Sequence, residues 1–271
     1  VTNSRVVINA TNPWRPNSGD AESALYVSDL ENAALTYEKK HELNLGAAFG
    51  FFDNRINIEA DWYKRNNYDL IGPVTTQGIG GQVVKFGNVA SMQSSGVELT
   101  LSTVNINRKN FKWTTDFIYS HAENKVTELE NQQRVIDLVA GTGFALEGYP
   151  VRSIFSIPFR GLNDEGIPTF LDQDGNVTST GIYFQERDNI DFLEYSGTAD
   201  PTDFGSFGNT FSWKGLKLNV FLTYSFGNVV RLDPVFRKSY SDLDAMPKEF
   251  RNRWVVPGDE KETEAIKARL K

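Results

Sequence analysis

The chain has 271 residues, a formal net charge of −7 and no cysteine, which excludes a disulfide framework, a Cys-ligated zinc site and a thiol nucleophile. The negative balance argues against a generic nucleic-acid surface. Hydrophobic residues are 39%, mean hydropathy is −0.40 and no run of about 18 apolar residues occurs, so a transmembrane helix is excluded while a barrel of diluted apolar strands is not.

The first clear element is "LNLGAAFGFFDNRINIEADWYKR", residues 43–65. Leu43, Leu45, Ala47, Phe49 and Phe51 alternate with Asn44, Gly46, Ala48 and Gly50. After an Asp53-Asn54 break, Ile56, Ile58, Ala60 and Trp62 alternate with Asn57, Glu59, Asp61 and Tyr63. Period-two alternation around a short polar break predicts a β-hairpin with one apolar and one polar face.

A second hairpin of the same design follows. Val97, Leu99 and Leu101 precede an "NRKN" turn at 107–110; Phe111, Trp113, Thr115, Phe117 and Tyr119 then alternate with Lys112, Thr114, Asp116, Ile118 and Ser120. A third has Asn209, Phe211 and Trp213 before Lys214-Gly215, and Leu216, Leu218, Val220, Leu222 and Tyr224 after it, with Asn219 and Phe221 on the opposite face. Six strands of roughly 9–11 residues emerge, the length that crosses a bilayer at a tilt.

Three connections are short, whereas segments 67–82, 125–205 and 227–271 exceed the usual limit of ~12–15 residues. With strands running up and down, every short turn lies at one end and every long segment at the other, as in outer-membrane barrels. Phe51, Phe52, Phe111, Trp113 and Trp213 sit beside the short turns, and Trp62, Tyr63, Tyr119 and Tyr224 toward the long loops, suggesting two aromatic girdles. A soluble or surface-attached β-sandwich that binds glycans and fills its core with aromatics is the rival.

Four ordered blocks carry a family resemblance: "YEKKHELNLGAAFGFFDNRINIEADWYKRNNYDLI" (37–71), "GNVASMQSSGVELTL" (87–101), "GYPVRSIFSIPFRGLNDEGIPTFLDQDGN" (148–176) and "YSGTADPTDFGSFGNTFSWKGLKLNVFLTYSFGN" (195–228). With "RNRWVVPGDE" (251–260), they resemble the C-terminal barrel half of SusC/RagA-type TonB-dependent outer-membrane transporters. "NAALTYE" (32–38) stands where that family often has Asn-Pro-x-Leu-x-Trp-Glu, Tyr37 keeping an aromatic. The resemblance implies an all-β transmembrane antiparallel barrel of roughly 22 strands with a plugged lumen and long extracellular loops. It implies import of an oligosaccharide or peptide, a SusD-like lipoprotein partner, and TonB coupling through an N-terminal region absent here. Starting at Val1 without initiator Met or signal peptide, the chain reads as a fragment. On this reading 39–124 are strands with short turns, 125–205 and 227–271 are extracellular loop regions, and 206–226 is a hairpin.

No catalytic, cofactor or metal residue is assigned, and an enzyme is not expected. "DQDGN" at 172–176 has the alternating oxygens of a calcium loop in Asp172, Asp174 and Asn176, yet lacks a distal bidentate Glu and reads better as a hairpin tip. His41 and His121 have no flanking catalytic motif and read as rim residues. Glu42, Glu59, Asp61, Glu98, Asp116, Lys64, Lys112 and Lys217 are assigned to the polar face. They fit either a polar import path or ordinary lumen solvation and ion pairing against a plug. Tyr240 and Trp254 in the last loop fit either sugar stacking or pinning of loops to each other. Leu43, Leu45, Phe49, Ile56, Ile58 and Trp62 are expected to face lipid, and Asn44, Asn57, Glu59 and Asp61 the lumen. A barrel that serves only as structural partner in a larger complex stays open.

Overall fold

A computed structural model describes residues 6–11, 24–29, 31–75, 78, 84–130, 132–232, 248 and 254–261. Strands β1 (Val7–Thr11) and β2 (Ala24–Asp29) pair as a small antiparallel ribbon that the alternation rules had not singled out. The main sheet begins with β3 (Lys39–Phe51), β4 (Ile56–Thr75), β5 (Val84–Arg108) and β6 (Phe111–Leu129). An excursion follows, holding α1 (Val135–Val139), β7 (Ser153–Ser156), β8 (Phe159–Leu162), β9 (Pro168–Leu171), β10 (Val177–Thr178) and β11 (Glu194–Thr198). Strands β12 (Asp203–Trp213) and β13 (Leu216–Phe226) then complete one six-stranded antiparallel sheet of order β13-β12-β6-β5-β4-β3.

The three expected hairpins are all present, with their turns at one end of this meander. Lys214 and Gly215 both have positive φ, 44° and 91°, the paired left-handed geometry that a tight two-residue hairpin loop requires. Arg55 fixes the first turn to its neighbour, donating from Nη2 to the carbonyls of Val104 and Asn105 at 3.1 Å each.

The strands are longer than the bilayer alone requires. β4, β5 and β6 run 20, 25 and 19 residues, so the expected 67–82 loop is largely strand: β4 continues to Thr75 and pairs with β5 down to Thr75↔Val84. Ladder hydrogen bonds do not need an apolar face, so pairing persists through stretches such as Gln93-Ser94-Ser95, where alternation is silent. β6 likewise extends to Leu129 and β12 starts at Asp203, which leaves residues 130–202 as the excursion.

Burial within the sheet is slight. Of the buried hydrophobic residues, Val135, Leu138, Ile154 and Phe155 lie in the excursion, and Tyr63, Val89 and Val126 on the sheet. Among the described residues no second sheet packs on either face of the six-stranded one, which removes the sandwich reading.

Candidate functional site: a sheet with a lipid face and a luminal face

Register fixes which side chains share a face. On one face the row Phe49–Ile58–Leu101–Phe117–Phe207–Leu222 crosses all six strands, with Leu45–Trp62–Val97 on one side of it and Phe51–Ile56 on the other. The apolar rows step along the sheet so that β12 and β13 add Phe211–Leu218 and Trp213–Leu216 beyond the end of β3, as tilted barrel strands require. Leu45, Phe49, Leu218 and Leu222 are 60%, 56%, 60% and 59% exposed. Soluble monomers rarely expose a contiguous apolar surface of this extent; in a bilayer it is the outer wall of a barrel.

Polar groups on that wall are hydrogen-bonded to each other. Thr103 donates to Asn105 Oδ1 (2.8 Å), Asn105 to Thr115 Oγ1 (2.6 Å), and Thr115 and Trp113 Nε1 both to Asn209 Oδ1 (2.8 and 2.9 Å). Each bond removes a group that hydrocarbon cannot solvate. At the opposite end of the apolar rows Tyr119 Oη and His121 Nδ1 converge on Asp203 Oδ1 at 2.6 and 2.9 Å, while Thr202 Oγ1 donates to Asp203 Oδ2 at 2.7 Å. His121 thus has a rim position with a carboxylate partner. His41, paired with Asn66 near the start of β3, rests against Tyr68, ring centroids 5.3 Å apart. Neither histidine belongs to a group of three potential metal ligands among the described residues.

The other face carries the rows Asp61–Glu98–Ser120–Phe204–Ser225, Glu59–Thr100–Ile118–Ser206–Thr223 and Asn57–Ser102–Asp116–Gly208–Phe221. Glu42, Glu59, Asp61, Glu98, Asp116, Lys112 and Lys217 therefore lie where the alternation placed them. Ser102 Oγ donates to Asp116 Oδ1 at 2.8 Å, and Arg65 pairs with Glu42 at 2.8 Å. Two assignments change. Lys64 stands opposite Leu43, one step past Trp62 on the apolar face, where a long side chain can carry its ammonium to the headgroups. Tyr63, opposite Asn44 and Gly96, is on the luminal face and only 8% exposed, with the Arg65 guanidinium 4.1 Å from its ring centre; it is no part of an outer girdle.

The excursion is held by its own small core. Val135 and Leu138 of α1 are fully buried, and Tyr149, Phe155 and Tyr195 form a ring cluster with centroids 5.0–5.5 Å apart. Arg134 opens α1 and grips Asp137 through Nε (2.8 Å) and Nη2 (2.7 Å), which holds the Asp137 carboxyl below its ordinary range. Backbone amides of Asp188 and Arg187 likewise lower Glu186. Arg231, just past β13, donates to the carbonyl of Phe155 at 2.7 Å, and burial pushes its guanidinium below the usual value. At 172–176 the Asp172 carboxylate accepts from the amides of Asp174 (3.0 Å) and Asn176 (2.7 Å) between β9 and β10. That is a hairpin tip whose Asp172 oxygen is already used by its own backbone. Trp254 lies over Gly166 in the β8–β9 turn, so this loop aromatic pins one loop to another; Tyr240 lies outside the described residues.

Alternation alone did not flag one luminal feature. Ile118, Phe204 and Phe221 sit at polar-face positions, and with Ser206, Thr223 and Ser225 they line a shallow hollow of about 520 Å³. The available signal was an apolar residue out of phase in each of three adjacent strands.

No protein-family model matches the chain. Similar sequences do exist: the TonB-dependent receptor P3 of Formosa agariphila is 26% identical over 230 residues, 78% of this chain and 23% of that protein. The TonB-dependent receptor SusC of Bacteroides thetaiotaomicron is 25% identical over 212 residues, 72% of this chain and 21% of that protein. The RagAB peptide importer in its closed-closed state superposes with a TM-score of 0.72 at 25% identity, over 96% of this chain and 28% of the solved one. The chain thus spans about a quarter of the length of these relatives. Over most of its length it resembles part of the barrel of the SusC/RagA-type TonB-dependent receptors, and its fold is an all-β piece of an outer-membrane barrel.

Proposed function

We propose that the whole protein imports a bulky nutrient across the outer membrane, driven through TonB, with a SusD-like lipoprotein closing the outer mouth. The observation that carries this reading is the two-faced sheet: a continuous apolar wall and, behind it, a charged and hydroxylated wall lining a path. Of the two cargo classes that the sequence left open, oligosaccharide and peptide, the likeness to a peptide importer over 96% of the chain favours peptide. On this reading residues 130–202 meet cargo and lid from outside the cell, together with the segment after β13, most of which lies outside the described residues.

Uptake tests this. In the source bacterium, deletion of the full-length gene should abolish accumulation of its labelled peptide cargo from a mixed pool, and collapse of the proton gradient should do the same. Unchanged uptake of every peptide and every oligosaccharide offered would leave the barrel a structural partner only.

A further inference from the structure

We propose that the hollow formed by Ile118, Phe204 and Phe221 on the luminal wall is a subsite for an uncharged apolar side chain of the peptide cargo. This inference rests on the import reading above.

Three observations carry it. The three side chains are 43%, 45% and 61% exposed on a face that elsewhere carries mostly charged, hydroxyl, amide or small side chains, and no described residue covers them. No charged side chain lines the hollow; its remaining lining side chains include the hydroxyls of Ser206, Thr223 and Ser225. The Phe221 ring lies against Gly208, where an added Cβ would come 3.2 Å from Phe221 Cδ2, so a missing side chain in β12 seats the ring low and leaves room above it.

Charge complementarity narrows the occupant. Asp61 and Glu98 face each other across β4 and β5, Glu59 is two residues away, and none of the three has an ion pair among the described residues. Glu98 is two strands from Phe204 in the same row, roughly 10 Å at ordinary strand spacing. That is the reach between nearby residues of an extended peptide. A peptide with an apolar side chain in the hollow can therefore lay a lysine, arginine or free amino group against the acidic strands. An acidic peptide would meet repulsion there, and a charged side chain in the hollow would lose its water without gaining a partner.

The test uses full-length protein, purified folded in detergent, and a pool of hexapeptides in which one position varies over all side chains and a second, three residues away, is Lys or Gln. Retained peptides are identified by mass spectrometry. Wild type should enrich Leu, Phe and Tyr over Asp and Glu at the variable position, and Lys over Gln at the second. Phe204→Ser with Phe221→Ser should cut the apolar preference by about tenfold and leave the Lys preference, because a buried ring is worth about that factor in affinity. Folding of the variant is checked by its unheated gel mobility, and Phe221→Leu should restore most of the preference. An apolar preference unchanged in the double variant, or absent from a wild type that retains peptides, overturns the subsite alone. A wild type that retains no peptide overturns the peptide reading and the subsite with it.

Discussion

Tyr63 stands directly opposite Gly96 in the β4–β5 ladder, and a Cβ on Gly96 would come 2.6 Å from the Tyr63 hydroxyl. The tyrosine ring fills the space that the glycine leaves, and the Arg65 guanidinium closes over it. Tyr224 uses Gly205 in the same way on the opposite face, its hydroxyl donating to the Ile118 carbonyl at 3.0 Å. Large rings laid over strand glycines brace neighbouring strands where neither a packed core nor a second sheet can do so.

Gly96→Val should therefore reduce the folded fraction of the full-length barrel, by about 1–3 kcal/mol of overpacking, since the His121 carbonyl is equally close to the added carbon. Tyr63→Phe should have a smaller effect because the ring remains. Urea titration of both variants in detergent, followed by gel mobility, gives the order; a Gly96→Val protein as stable as wild type would mean the ring is free to move away.

Residues 1–271 alone should not yield a soluble monomer. Edge strands β3 and β13 carry unpaired backbone groups along their open sides, and the apolar wall adds a second adhesive surface. Size-exclusion chromatography in plain buffer should show aggregate or nothing. A monomer that melts cooperatively would remove the membrane assignment.

Topology can be read from labels. A tag placed at Lys109-Asn110 should stay hidden in intact cells, while one in the β9–β10 tip at Asp174-Gly175 should be reached from outside, in a strain lacking the proposed lipoprotein partner if the tip is shielded. Reversed labelling would invert the barrel.

The excursion should loosen in acid. Asp137 and Glu186 both have carboxyls held below their ordinary values by partners made only in the folded loop, so their contribution is present above the unfolded carboxylate range and lost as pH falls through the lowered folded values. Amide exchange at Val135 and Ile136, which donate to the Glu186 and Phe184 carbonyls, should therefore lose protection below about pH 4 and keep it at pH 6. Equal protection at both would show that the buried valine and leucine of α1 hold the loop unaided.

How much of this was legible varies with the solvent each part meets. Where lipid and lumen lie on opposite sides, as at Leu216, Lys217, Leu218 and Asn219, the period of two is enforced and the sequence reads directly. Beyond the bilayer both faces meet water or other loops, the constraint disappears, and the upper halves of β4, β5 and β6 look like loop although their ladders continue. Lys64 reads as luminal by its charge yet ends an apolar row, because snorkelling carries its ammonium to the headgroups. The excursion core depends on α1 meeting β7 and on Tyr149, Phe155 and Tyr195 meeting from separate segments, which no local period encodes.

The central claim is that one face of this sheet meets lipid, and the pair Asn219 and Val220 tests it most directly. Val220 lies in the outward row with Asn209 and Thr115, and Asn219 points to the lumen opposite Thr210. In the full-length protein Val220→Arg should lower assembled barrel sharply, by up to roughly 2–4 kcal/mol depending on depth, while Asn219→Arg should do so much less. Val220→Phe separates lipid from a packed core, because fluid chains yield to a larger ring and a close-packed interior is strained by about 1–3 kcal/mol. The measurement is the heat-modifiable fraction in outer-membrane preparations. Tolerance of Phe with intolerance of Arg at 220 is the predicted result, and failure of both substitutions would contradict the lipid-facing assignment.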